Sequence, residues 1–353
     1  MTSPSPPTSP IARTATARPV RRPDLVCPAG SLPALKAAVD AGADCVYVGL
    51  RNETNARNFA GLNFDRKALD AGLSYAQSRG RRVLLALNTY AQPGRTKLWT
   101  DAIDAAADAG VDALILADAG LMAYASQRHP GLALHLSVQG SSTTYEAINF
   151  HVERFGVKRA VLPRVLSVAQ VAGVIEKSAC EIEVFGFGSL CVMVEGRCAL
   201  SSYTTGEGPN LCGVCSPAKA VRWETTSAGL EARLAGVLID RYAEGEPAGY
   251  PTICKGRYSV DGDVDYAIEE PTSLNTLPIL GELVGIGVAA VKIEGRQRGP
   301  AYVAAVTRVW RQAIDECLRD PARFAARPAW LDELGALAEG RQTTLGALDR
   351  AWR

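Results

Sequence analysis

Four times along this chain a glycine is followed within a residue or two by an aliphatic run: AGADCVYVG (41–49), AGVDALILAD (109–118), FGVKRAVLPR (155–164) and IGVAAVKIEG (286–295). The glycine suits the left-handed residue that closes a helix. The aliphatic run suits a strand buried on both faces, as strands of a parallel sheet are. A repeated unit of helix, stop and buried strand tiles into an alternating β/α architecture.

Extending the pattern gives strands near 24–28, 44–50, 82–88, 112–117, 133–139, 159–163, 182–187 and 289–294. Helices are expected near 31–41, 66–79, 97–109, 119–128, 143–155, 167–178, 275–286 and 300–319. Eight such units over residues 23–320 predict an α/β fold, a closed (β/α)8 TIM-type barrel, with a doubly wound open sheet as the alternative. The rhythm breaks once. Residues 188–274 form a cysteine-bearing insertion after strand seven, and residues 321–353 a C-terminal extension of mixed charge. Barrel chemistry sits in the loops after the strands, so this insertion is expected to open beside the barrel mouth.

Composition narrows the class. Hydrophobic residues make up 47% and charged residues 21%, enough for a sizeable core, and no apolar run is long enough for a membrane span. Residues 1–22 are rich in Pro, Ser and Thr, with four Arg and no acid, and read as a disordered tail. An organelle transit peptide has a similar composition, but the prolines argue against its amphipathic helix. Without the tail, 34 basic residues face 37 acidic ones, a balance of −3. That argues against a dominant nucleic-acid footprint, DNA included, or an anionic-membrane footprint.

Nine cysteines are present, an odd number with no apolar leader before them, which points to a reducing, cytoplasmic setting rather than a disulfide scaffold. Cys45, Cys180 and Cys317 read as small core hydrophobes, as does Cys27. The other five cluster in SLCVMVEGRC (189–198), LCGVC (211–215) and TICKGR (252–257). Four thiolates suit an iron–sulfur cluster or a structural zinc. Only Cys212 and Cys215 have the tight C-x2-C spacing of a zinc ribbon. Six residues separate Cys191 from Cys198, sixteen separate Cys198 from Cys215, and thirty-eight separate Cys215 from Cys254. Such wide spacing favours a cluster wrapped by loops and leaves open whether Cys212 or Cys215 is the spare.

A second group gathers at the strand ends: Asn88, Thr89, Asp118, Gln139, Arg164, Lys292, Glu294 and Arg296. Arg164, Lys292, Glu294 and Arg296 are the catalytic candidates, because converging cations suit a carboxylate-bearing ligand. Each could equally be a solvated rim residue or half of a barrel-interior ion pair. The loop RNETNARNFAGLNF (51–64) could reach over the same mouth, or its Asn residues could simply form turns. His129, His135 and His151 stand apart from any G-x-S-x-G or H-E-x-x-H pattern, so hydrolysis is poorly supported.

The segments LVCPAGSLPALKAAVDAGADCVYVGL, NARNFAGLNF, GSLCVMVEGRCALSSYTTGE, CSPAKAVRW, GYPTICKGRY, EEPTSLNT and VKIEGRQR carry a resemblance from about residue 23 onward. They resemble the collagenase-like peptidase family, unknown-type peptidase family 32, and within it the UbiU-like branch of ubiquinone (coenzyme Q) biosynthesis. The resemblance implies O2-independent hydroxylation of a ubiquinone precursor, in a heterodimer with a UbiV-like homologous protein. It also implies a [4Fe–4S] cluster on Cys191, Cys198, Cys215 and Cys254, with Cys212 the spare, and prephenate as the oxygen donor. Other members of that family hydroxylate RNA, which is the alternative activity. A zinc-stabilised scaffold without chemistry is the reading from a different class.

Overall fold

The computed structural model describes residues 21–59, 61–191, 193, 198–209 and 215–349. Seven strands alternate with six helices along the first half: β1 (Asp24–Pro28), α1 (Leu32–Asp40), β2 (Cys45–Gly49), α2 (Arg66–Gln77), β3 (Arg82–Leu87), α3 (Lys97–Ala109), β4 (Ala113–Leu116), α4 (Ala119–Arg128), β5 (Ala133–Leu136), α5 (Tyr145–Phe155), β6 (Arg159–Val161), α6 (Val168–Lys177) and β7 (Glu181–Ser189). Each strand pairs in parallel with the next. The insertion then contributes α7 (Ala199–Thr205), β8 (Val221–Thr226), β9 (Gly229–Leu234), β10 (Val237–Tyr242), β11 (Tyr258–Val260), β12 (Asp263–Asp265) and β13 (Ser273–Asn275). The chain returns through α8 (Leu280–Gly285) to β14 (Ala290–Ile293), which pairs in parallel with both β7 and β1 and closes the sheet. The result is an eight-stranded parallel barrel, as the repeat predicts. Gly110 and Gly156 close α3 and α5 at φ of 76° and 70°, the left-handed stops the repeat requires.

α9 (Pro300–Cys317) covers β1 and α1, and α10 (Pro328–Leu337) packs Trp330 and Leu334 onto the same core. β15 (Thr343–Thr344) pairs with β13. Cys27, Cys45 and Cys317 are buried, and Cys27 accepts a 3.2 Å hydrogen bond from the Thr307 hydroxyl. These three are core thiols, as their neighbours in sequence indicate.

Two expected elements differ. The helix expected over 275–286 starts at Leu280, because Ser273–Asn275 pair antiparallel with the end of β7 and the Asn275 side chain caps the amide of Leu277. Residues 1–20 of the expected tail lie outside the described residues, but its last two are tied to the barrel. Arg21 pairs with Glu181, and Arg22 lies 3.1 Å from Asp44.

The barrel interior has two halves. Its β1–β4 side is apolar, with Val26, Cys45, Tyr47, Leu84, Ala86, Ala113 and Ile115 packed together. Its β5–β7 and β14 side carries His135, Arg159, Glu183 and Lys292, all buried. Lys292 Nζ lies 2.7 Å from Glu183, whose other oxygen is 3.4 Å from Arg159; Arg159 in turn contacts Asp24 and Glu181, each at 2.6 Å. Against the cost of burial, these carboxylates keep Arg159 charged.

Candidate functional site at the barrel mouth

A pocket of about 560 Å³, partly open to solvent, lies where the strands end. Arg164, Lys292, Glu294 and Arg296 all line it, together with Tyr47, Arg57, Asn88, Ser137, Gln139 and Phe185. Four cations thus face the space with one carboxylate at the rim. Arg296 is 5% exposed. Its guanidinium donates to Asn55 Oδ1 at 2.7 Å, and among the described residues no carboxylate pairs with it. Burial pushes its pKa down to about 10, which leaves the charged form dominant near neutral pH. A buried cation that forms no ion pair of its own suits an anionic ligand. Arg164 stacks on the Phe185 ring at 3.6 Å, which orients its planar fork along the pocket wall.

Lys292 belongs to both the pocket and the interior network. Its ammonium lies 4.1 Å from the centre of the Tyr47 ring and 2.7 Å from Glu183. Burial pulls its pKa down and Glu183 opposes the fall. The Tyr47 hydroxyl is spent on the Ile293 carbonyl at 2.9 Å.

Other strand-end residues have structural duties. Asp118 caps α4, accepting from Gly120 and Leu121, and also holds the Ala91 amide. Thr89 accepts from the Trp99 indole at 2.9 Å and donates to the Glu53 carbonyl at 2.7 Å. Neither lines the pocket. The 51–64 loop does reach the mouth: it supplies Arg57 to the lining and Asn55 to Arg296, while Asn52 forms a turn with Thr54. Both roles considered for its asparagines are therefore present. Sequence reasoning missed Arg57, Arg159 and Glu183. For Arg159 and Glu183 the available signal was a charged residue at an inward position of an otherwise aliphatic strand; Arg57 sits on the 51–64 loop.

The stretch leading to the first of the clustered thiols leaves from this mouth. β7 runs to Ser189, two residues before Cys191, and the Ser189 amide donates to Glu294 at 3.4 Å. Cys198 caps α7, its sulfur accepting from the Ser201 amide at 3.3 Å, and the Ser201 hydroxyl donates to the Cys215 carbonyl. Cys254 sits in a short turn fixed by Glu269 N–H on its carbonyl at 3.1 Å. Burial pushes the Cys254 thiol up to about 12, against the pull of Lys255; the nearby Cys215, Cys191 and Cys198 push the same way as burial. The other three cysteines thus lie near enough to Cys254 to act on its charge. Among the described residues, no three His, Cys, Asp or Glu side chains are gathered closely enough to hold a single metal ion. Cys212 lies outside the described residues.

None of the three histidines lines the pocket. His129 bonds Asp104 at 2.6 Å on the outer face of α3 and α4, His135 lies inside the barrel, and His151 packs beside Phe150 and Phe155 on α5. Among the described residues, no helix is long and apolar enough to cross a membrane.

Gly49 explains how Arg296 is seated. A Cβ there would lie 2.4 Å from both the Arg296 guanidinium and the Asn55 amide. Gly49→Ala is expected to break the Asn55–Arg296 hydrogen bond and weaken anion binding about tenfold, read by titrating succinate into the purified protein.

Fold and site define a (β/α)8 barrel with a thiol-bearing insertion opening onto a cationic mouth. The chain belongs to peptidase family U32, whose family model matches residues 30–348. It is 30% identical over 318 residues to tRNA hydroxylation protein P1 of Bacillus subtilis, covering 90% of this chain and 69% of that one. It is 29% identical to tRNA hydroxylation protein P of Escherichia coli, covering 84% and 68%, and 29% identical to a collagenase of Porphyromonas gingivalis, covering 89% and 70%. The chain thus spans about two-thirds of the length of these relatives.

Proposed function

We propose that this chain is a hydroxylase component acting on RNA without O2, with a [4Fe–4S] cluster on Cys191, Cys198, Cys215 and Cys254 and a carboxylate-bearing oxygen donor of the prephenate type in the barrel mouth. The observation that carries the reading is the link from pocket to thiol loop: Cys191 comes two residues after Ser189, whose amide donates to the pocket carboxylate Glu294 at 3.4 Å. The relatives named for tRNA hydroxylation supply the substrate class. Four cysteines so widely spaced in sequence suit a cluster wrapped by loops better than a zinc ribbon with its tight ligand pairs. Bound there, such a cluster supplies electron transfer tuned by its surroundings. Arg296 and Arg164 would orient the anion, Glu294 would fix the loop that leads to Cys191, and the apolar β1–β4 half of the barrel would exclude water beneath it.

The test is nucleoside analysis of tRNA from anaerobic cells with and without the gene. Loss of one nucleoside bearing an added oxygen is expected. RNA binding should fall steeply with salt, because phosphate contacts release counter-ions. Unchanged tRNA with accumulation of an unhydroxylated ubiquinone precursor would overturn the RNA reading. It would favour the UbiU-like one, in which the chain acts with a UbiV-like partner, a reading that the motifs around the thiols support.

A further inference from the structure

We propose that Gln139 reads a hydroxyl group on the anion held in the barrel mouth, and so sets which carboxylates the pocket accepts. The inference rests on the anion reading of the pocket and adds the residue that selects within that class.

Gln139 does not sit on a strand. β5 stops at Leu136, and residues 138–140 form a tight turn that places residue 139 against the pocket. Its backbone is clamped from both sides. The Gln139 amide N–H donates to Ser137 Oγ at 3.2 Å, and its carbonyl accepts from the Tyr90 hydroxyl at 3.0 Å. Ser141 then closes the turn at φ of 52°. The side chain so positioned is 4% exposed, and its buried oxygen has no hydrogen-bond partner among the described residues.

Leaving a buried amide oxygen unsatisfied is costly, and native folds seldom do so without a use for the group. The other pocket-lining side-chain amide shows the contrast, since Asn88 spends its oxygen on the Ala56 amide at 3.1 Å. The Gln139 backbone is held on both sides, and among the described residues that buried oxygen has no internal partner. A ligand hydroxyl satisfies the amide in either orientation, because a hydroxyl both donates and accepts. Arg296 supplies the complementary feature, a buried guanidinium for the carboxylate. The pocket therefore fits a hydroxycarboxylate better than the same acid without its hydroxyl.

Malate and succinate differ by that one group and serve as probes in calorimetric titration of the full chain. Malate is expected to bind about tenfold more tightly than succinate, the value of one well-made hydrogen bond to a buried group. In Gln139→Met the succinate affinity should hold within about twofold, which also shows the pocket is folded, while malate falls to the succinate level. Equal binding of the two acids by the unmodified protein, or the same ratio in Gln139→Met, would overturn the role of Gln139. The anion reading is tested separately by Arg296→Gln, which should lose affinity for both acids. If Arg296→Gln leaves both affinities intact, or the unmodified protein binds neither acid, the anion reading itself falls.

Discussion

Anaerobically purified Cys198→Ser protein is expected to be folded but colourless, with iron and sulfide well below the roughly four of each per chain that a [4Fe–4S] cluster brings. Serine is the sharper replacement than alanine here. Cys198 caps α7, with its sulfur accepting the Ser201 amide, and a serine hydroxyl takes over a helix N-cap without loss. The variant therefore removes the thiolate and keeps the cap, so a colourless product reports ligation rather than a melted helix. Cys254→Ser should behave alike, since Cys254 feels the other three thiols. Cys212→Ser should leave the iron and sulfide content unchanged, because the family resemblance leaves Cys212 as the spare. Full colour and activity in Cys198→Ser would sink the ligand set. Zinc without colour in the unmodified protein would turn the insertion into a structural scaffold.

Much of the frame was legible because its signals are local. The helices at Lys97–Ala109 and Ala119–Arg128 fall where the sequence places them, each bounded by a glycine stop or an Asp cap next to an aliphatic run. Arg164, Lys292, Glu294 and Arg296 could be named because strand ends of a parallel barrel share one face, and all four do line the pocket. What stayed hidden depends on partners distant in the chain. Glu183 and Lys292 are 109 residues apart, and nothing near either in sequence announces the pair. The helix expected from 275 begins only at Leu280, because Asn275 ends a strand whose partner is the end of β7, on the far side of the insertion. Gln139 was placed at the end of β5 when it belongs to a turn, and only the orphaned amide in the folded chain gives it meaning. The choice between RNA and a quinone precursor was not legible for a related reason. The motifs that carry the family resemblance surround the thiols, whereas it is the relatives named for tRNA hydroxylation that favour RNA.

Glu183→Gln should cost about 3–5 kcal/mol in unfolding free energy near neutral pH. Glu183 is fully buried between Lys292 at 2.7 Å and Arg159 at 3.4 Å. Neutralising it leaves two cations facing each other in a dry interior with one fewer counter-charge. Most of that cost belongs to the stranded charges and little to the lost hydrogen bond. A second substitution, Lys292→Met, should therefore recover a substantial part of the stability in the double variant, although Lys292→Met alone also destabilises. The pH dependence has a definite sign. Burial would raise the Glu183 pKa, but Lys292 and Arg159 outweigh it and hold the carboxyl below its ordinary value of 4.5. A group whose folded pKa is depressed contributes its full stability above the ordinary value and loses it as pH falls through the folded one. Denaturant unfolding at neutral pH and at pH values below 4.5 should show the unmodified protein losing stability on the acid side, with a shallower loss in Glu183→Gln. If Glu183→Gln matches the unmodified protein at neutral pH and follows the same acid limb, the interior charges are not coupled as the geometry requires. Lys292 would then answer to the pocket rather than to the core.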